Sequence, residues 1–135
     1  MRRVIVVLRW VIRMCAIVQL TLGSLFWTGN APTLIPLHML TGLLLVLGLW
    51  TQAALGARAG LPIRLLGLAL GWGVIVVAVG LTQDSLLPGD AHWVIQVLHL
   101  LIGLAAVGLA EAIAARSLRR VPRSAAADVQ VEVRA

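Results

Sequence analysis

The chain has 135 residues, of which 61% are hydrophobic and 12% are charged, and its mean hydropathy is +1.01. Globular domains contain about 45–50% apolar residues, so this composition indicates a membrane protein and excludes an ordinary soluble domain. A net charge of +6 would suit a soluble nucleic-acid-binding domain, but these arginines adjoin apolar runs and form no separate basic stripe. We therefore expect no nucleic acid among the partners.

Four apolar runs follow one another along the chain, at residues 4–27, 34–55, 61–81 and 92–115. Each run has roughly the 20 residues that an α-helix needs to cross about 30 Å of hydrocarbon. Turn-forming residues separate the first run from the second, at 28–33, and the third from the fourth, at 82–90. The pattern predicts an all-α fold, an integral membrane four-helix bundle of two α-hairpins at residues 1–120, followed by a short disordered tail at 121–135.

The arginines that flank the four runs all fall on one side of the predicted bundle. They are Arg2, Arg3, Arg9, Arg58, Arg64, Arg116, Arg119, Arg120 and Arg123. The positive-inside rule assigns that side to the cytoplasm, so both termini are expected inside and the loops carrying Asn30 and Asp84 outside. We therefore predict a multi-pass protein of a prokaryotic cell membrane, in contact with the lipid bilayer and its anionic headgroups.

Two similar hexapeptides, LHMLTG at residues 37–42 and LHLLIG at residues 98–103, lie in the second and fourth runs. An offset of 61 positions superimposes them and predicts a duplication, in which a pseudo-twofold axis along the membrane normal relates the two hairpins. At a rise of about 1.5 Å per residue, His38 lies roughly one turn and His99 roughly two turns below the outer boundary. Both imidazoles are therefore expected in the outer leaflet.

Two equivalent histidines inside apolar helices suggest a shared partner, because polar side chains within a membrane are costly and generally functional. We expect His38 and His99 to be the metal ligands of one haem b, iron protoporphyrin IX. Gly42 and Gly103 follow one turn deeper on the same helix faces. Their missing side chains make room either for the flat macrocycle or for close helix packing, and the alternative for each histidine alone is an interhelical hydrogen bond.

His92 and Gln96 are further candidates for contact with the cofactor. His92 precedes His99 by seven residues, so it lies roughly 10 Å nearer the outer surface on nearly the same helix face. It is expected at the interface, and its alternatives are a bond to a haem propionate and replacement of His99 as ligand. Gln96 and, in the first run, Gln19 have two interpretations: a bond to a quinone or haem substituent, or an interhelical hydrogen bond.

Other residues of the runs have mainly structural interpretations. Arg13 and Glu111 lie at similar depths near the cytoplasmic side, so they either form a salt bridge or Arg13 snorkels to the headgroups. Trp72 lies away from the run ends and is expected to pack in the bundle or against a ring. Cys15 is the single cysteine, which excludes an intramolecular disulfide, and it is expected to pack as a small apolar residue.

Residues 93–101 (WVIQVLHLL) are similar to the haem-ligand helix of the haem A synthase family, and residues 36–40 (PLHML) resemble its partner histidine helix. That family has two four-helix halves, each with haem-binding histidines on its second and fourth helices, and this chain resembles one half over nearly its whole length. The acidic residue of the family's catalytic half is replaced here by Ile35 and Gln96, and its extracellular cysteine pair is absent. The resemblance implies a b-type haem-binding half without the family's oxidising chemistry.

The histidine pair and the resemblance together predict a membrane b-type cytochrome-like protein that holds one bis-histidine haem near the outer face, for electron transfer or haem handling. No catalytic residue is assigned. One alternative is a haem A synthase-type oxidoreductase assembled as a homodimer, which would restore the eight-helix layout. The other is a cofactor-free accessory subunit of a larger membrane complex. The candidate partners are a quinone, a second copy of the chain and other respiratory membrane subunits.

Overall fold

The computed structural model describes residues 1–121, so the predicted tail lies outside the described residues except for Val121. The described chain is helical, with four long helices, α1 (Arg2–Trp27), α2 (Ile35–Arg58), α3 (Ile63–Thr82) and α4 (His92–Arg120), and two short 3-10 turns at Pro32–Leu34 and Gln83–Ser85. All four long helices have the length and hydropathy to span a membrane. The predicted all-α, four-helix membrane architecture is confirmed.

The first two long helices end in the same way, at a glycine in the left-handed conformation. Gly29 after α1 has φ 74° and Gly60 after α2 has φ 73°. In each case the glycine and the residue after it donate backbone hydrogen bonds to carbonyl oxygens of the last helical turn, Asn30 to Leu25 and Leu61 to Gly56 among them. This is the Schellman motif, which satisfies the last carbonyls and turns the chain sharply into the next element.

Helices α2 and α4 lie at the centre of the bundle, where each packs against the other three long helices. One contact between the hairpins recurs at equivalent positions of the repeat. Arg9 of α1 is paired with Glu111 of α4. The repeat offset of 61 positions relates Arg9 to Leu70 of α3 and Glu111 to Trp50 of α2. These two residues are also joined, by a hydrogen bond from Trp50 Nε1 to the Leu70 carbonyl oxygen. This equivalence supports the predicted relation of the two hairpins by a pseudo-twofold axis.

The bundle is packed unevenly along its length. We call one end the histidine half, made of residues 17–27, 35–44, 74–82 and 92–105, and the remainder of the four helices the arginine half. Within the histidine half, the buried hydrophobic side chains are Leu22 and Ile95. The arginine half has a continuous buried core that includes Ile12, Leu49 and Ile113. The helices are therefore fixed against one another in the arginine half and leave more side-chain surface uncovered around the histidines.

Gly48 lies in this core where α1 and α2 approach closely, and a Cβ atom there would be 2.8 Å from Ile12 Cγ1. Because Ile12 is buried in the core, we expect Gly48→Ala to lower the free energy of unfolding by about 1–3 kcal/mol. Gly67 is the matched control, since it is exposed on α3 with no heavy atom within 4 Å of a Cβ. Gly67→Ala should be neutral or stabilise by up to about 1 kcal/mol. Unfolding in mixed detergent micelles, followed by circular dichroism, measures both, and equal effects would contradict this role of Gly48.

Candidate functional site

The two predicted ligands, His38 of α2 and His99 of α4, face each other across the centre of the bundle. Their ring centroids are 6.3 Å apart and the ring planes are inclined by 46°. Both side chains are half-buried, and the Nδ1 atom of each ring is buried with no hydrogen-bond partner among the described residues. A buried polar atom without a partner costs about 1–3 kcal/mol, so the pair is suited to bind a ligand that bonds to both rings.

Contacts from α1 and α2 hold His38 in place. The Phe26 ring meets the His38 ring edge-on, with centroids 5.4 Å apart. The backbone carbonyl oxygen of His38 accepts hydrogen bonds from Gln19 Nε2 (2.7 Å) and from Thr41 Oγ1 (3.1 Å). Gln19 therefore forms the interhelical hydrogen bond that was one of its two interpretations, and this bond fixes α1 against the start of α2.

The surroundings of His99 are different, because α3 presents a glycine there. A Cβ atom at Gly80 would lie 3.5 Å from His99 Cε1, and a Cβ atom at Gly103 would have no heavy atom within 4 Å. A Cβ atom at Gly42, by contrast, would lie 2.6 Å from Gln19 Nε2. Gly42 thus serves close helix packing, whereas Gly103 borders open space. The sequence repeat made these two glycines equivalent, but their neighbours distinguish them.

Two further candidate residues, His92 and Gln96, lie on α4 ahead of His99. His92 begins the helix, and its Nδ1 donates a hydrogen bond to the Leu86 carbonyl oxygen in the preceding loop (3.2 Å). Gln96 is half-buried one turn before His99. A position at the helix start agrees with the interfacial role expected of His92. The suggested contacts of both residues with a haem stay predictions.

The donor set of two imidazoles fits the iron of a haem. The described residues contain no cluster of three or more His, Cys, Asp or Glu side chains that could hold a metal, and protein zinc sites use at least three such ligands. Haem iron would need only one or two ligands from the protein, which the two imidazoles could supply. His38 and His99 are the residues that would hold such a group, and their ring centroids, 6.3 Å apart, leave room for a metal ion between the rings.

Trp72 lies at the α3–α4 interface, on the side of the histidine pair that faces the arginine half. Its indole Nε1 donates a hydrogen bond to the Ile102 carbonyl oxygen (3.0 Å), three residues beyond His99. The side chain is half-buried and packs against the core of the arginine half. Of the two interpretations of Trp72, packing in the bundle is the one that the structure shows.

An ion-pair cluster lies in the arginine half, away from the histidines. Glu111 accepts a hydrogen bond from Arg9 Nε at Oε2 (2.6 Å) and one from Arg13 Nε at Oε1 (2.8 Å). The guanidinium carbon of Arg13 also lies 5.1 Å from the centroid of the Trp10 ring. The salt bridge between Arg13 and Glu111 was one of the two sequence interpretations. The participation of Arg9 was missed, although its place four residues before Arg13 puts both on one face of α1.

Comparison with protein-family models, curated proteins and solved structures finds no match to this chain. The resemblance of residues 93–101 to the haem A synthase family therefore stays a prediction. The facing imidazoles of His38 and His99, with the residues around them, are the features of this chain that indicate a function.

Proposed function

We propose that this chain is a membrane b-type cytochrome-like protein in which His38 and His99 hold one haem b between α2 and α4. The facing pair of imidazoles carries the proposal, because two half-buried rings with unpartnered Nδ1 atoms stand 6.3 Å apart in apolar surroundings. Such a pair is costly in a membrane unless a partner binds it. A bound haem would supply one-electron oxidation and reduction.

The residues around the pair favour electron transfer or haem handling over oxygen activation. His38 and His99 would both hold the haem, and the group would supply one-electron chemistry there rather than a binding position for a substrate. Phe26 and the surrounding apolar side chains would keep water from the rings, and Gln19 would hold the His38 backbone. Toward the loop end, Gln96 and His92 would face the substituents at the macrocycle edge.

The distribution of charge supports a site near the outer face of the cell membrane. All arginines of residues 1–121 lie in the arginine half or beside it, while Asp84 and Asp90 lie in the loop at the other end. By the positive-inside rule, we infer that the arginine end and both termini face the cytoplasm. A quinone or a second membrane subunit of a respiratory complex would then exchange electrons with the haem from the outer half of the bilayer.

A reduced-minus-oxidised optical spectrum of the detergent-purified protein, expressed with ample haem, tests the proposal. We expect a low-spin b-type signal, and a pyridine haemochrome assay should give about one haem per chain. A haem a signal would instead favour the haem A synthase-type alternative. A colourless protein would contradict the proposal and favour the cofactor-free accessory subunit.

A further inference from the structure

The interface between α1 and α4 in the arginine half, which we call the α1–α4 seam, is rich in charge. Arg2, Arg9 and Arg13 lie on one face of α1, because seven and then four positions separate them. Arg2 Nη1 donates a hydrogen bond to the Leu118 carbonyl oxygen of α4 (3.3 Å). Arg9 and Arg13 both bind Glu111 of α4. The seam therefore carries three positive side chains and one negative side chain.

The repeat contains a copy of this seam, between α3 and α2, in which the corresponding side chains are uncharged. The offset of 61 residues relates the three arginines to apolar residues of α3. They are Ile63, Leu70 and Val74. It also relates Glu111 to Trp50 of α2, which bonds the Leu70 carbonyl oxygen. Since this copy packs without charge at these positions, and apolar residues can often replace ion pairs at no cost in stability, packing alone does not explain the charges of the α1–α4 seam.

Glu111 leaves much of the seam's donor capacity unused. Its two oxygens are contacted by Nε and Nη2 of both Arg9 and Arg13. A guanidinium group has five N–H donors, so the Nη1 group of each arginine is left for another acceptor. The side chains of Arg9, Arg13 and Glu111 are 31%, 38% and 24% exposed. Two positive charges and one negative charge thus leave a net positive cluster that is open to the outside of the bundle.

The cluster lies within reach of the lipid headgroups. The 26 residues of α1 extend about 39 Å, which exceeds the roughly 30 Å of hydrocarbon. Arg9 lies roughly 10 Å and Arg13 roughly 17 Å from the start of α1. Side chains tilt toward the N-terminus of their helix, which for α1 is the arginine end, and long arginine side chains extend toward the headgroups. The guanidinium groups therefore reach the boundary between hydrocarbon and headgroups.

The surface around the cluster faces lipid. Val7, Trp10 and Met14 follow one another along α1 beside the two arginines and are 62%, 56% and 49% exposed. Tryptophan is typical of the headgroup boundary, and the Arg13 guanidinium carbon lies 5.1 Å from the Trp10 ring centroid. An apolar surface that surrounds a basic cluster matches a phospholipid, which presents acyl chains and a negative phosphate together.

We propose that the α1–α4 seam binds the headgroup of an anionic phospholipid in the leaflet at the arginine end. The phosphate oxygens accept hydrogen bonds from the Nη1 groups of Arg9 and Arg13, a pairing for which the planar guanidinium is well suited. The negative charge of the lipid neutralises the charge that Glu111 leaves over. The copy of the seam between α2 and α3, which has no such charges, binds no headgroup in this way.

Native mass spectrometry of the detergent-purified protein, titrated with dioleoylphosphatidylglycerol or dioleoylphosphatidylcholine, tests the proposal. The two lipids have the same acyl chains, and only the phosphatidylglycerol headgroup has a net negative charge. We expect the wild type to bind the first phosphatidylglycerol about fivefold to tenfold more tightly than phosphatidylcholine. Arg13→Gln keeps the pair of Arg9 with Glu111 but removes the net charge of the cluster, so the preference should fall to about twofold or less.

Arg64→Gln is the matched control, because Arg64 is exposed at the same end of the bundle and its replacement removes the same charge from the chain. Its preference for phosphatidylglycerol should stay within about twofold of the wild type. Equal preferences in Arg13→Gln and Arg64→Gln would overturn the proposal, since the basic end as a whole would then attract the lipid.

A wild-type protein without a preference for phosphatidylglycerol would also overturn the proposal and favour a carboxylate of a second membrane protein as the partner of the cluster. Circular dichroism shows whether Arg13→Gln folds. If it does not, the triple variant Arg9→Leu, Arg13→Leu, Glu111→Leu, which imitates the apolar copy of the seam, takes its place. A lost preference in that variant supports the proposal, and a preference equal to that of Arg64→Gln overturns it.

Discussion

Replacing either His38 or His99 with alanine is expected to abolish the low-spin bis-histidine haem spectrum. Each substitution removes one of the two imidazoles that stand 6.3 Å apart, and the described residues offer no third histidine or cysteine within a cluster that could take its place. A single imidazole would then hold the proposed haem, or the haem would be lost. Optical spectra and the pyridine haemochrome assay on the purified variants measure the loss.

His92→Ala is the matched control for these two variants. Its ring is bonded to the Leu86 carbonyl oxygen at the start of α4, so we expect the low-spin spectrum to persist. Added imidazole should restore a low-spin signal in His38→Ala or His99→Ala if the haem is retained, because a small ligand can enter the space that the side chain leaves. Loss of haem from His92→Ala, with retention in His99→Ala, would show that the ligand assignment is wrong.

Replacing Glu111 with leucine is expected to cause the second large effect, a loss of bundle stability. Glu111 bonds both Arg9 and Arg13, so its removal leaves two guanidinium groups unpaired between α1 and α4. Breaking a fully buried ion pair costs about 3–5 kcal/mol and breaking a surface pair about 0–1 kcal/mol. Since these side chains are part-buried, we expect a loss of about 1–3 kcal/mol. Detergent unfolding followed by circular dichroism measures it.

The triple variant Arg9→Leu, Arg13→Leu, Glu111→Leu separates the ion pair from simple packing. When all three charged groups are replaced together, no charge is left unpaired, and the free energy of unfolding should return to within about 1 kcal/mol of the wild type. The haem spectrum should be unchanged in both variants, since the cluster lies in the arginine half. A triple variant as unstable as Glu111→Leu would argue that the apolar parts of these side chains matter more than their charges.

The four membrane-spanning helices and the pairing of His38 with His99 were both predictable from sequence. Long apolar runs in a membrane have to form helices, because their backbone groups find no hydrogen-bond partners in the hydrocarbon. Two histidines at one place in a repeated unit then come to one depth in the bundle, since the repeat fixes their distance from the ends of equivalent helices. Similar depth also made a salt bridge with Glu111 one of the two interpretations of Arg13, and the structure shows this bridge.

The neighbours of each side chain were decided by packing between helices that are distant in the chain. Sequence made Gly42 and Gly103 equivalent, and only the approach of α1 to α2 showed that Gln19 fills the space beside Gly42 while the space beside Gly103 is open. The pairing of Arg9 with Glu111 likewise required the rotation of α1 against α4. Composition and repeats determine which segments span the membrane and which residues share a depth. Rotation and separation of the helices depend on the summed contacts of many side chains, which no local pattern records.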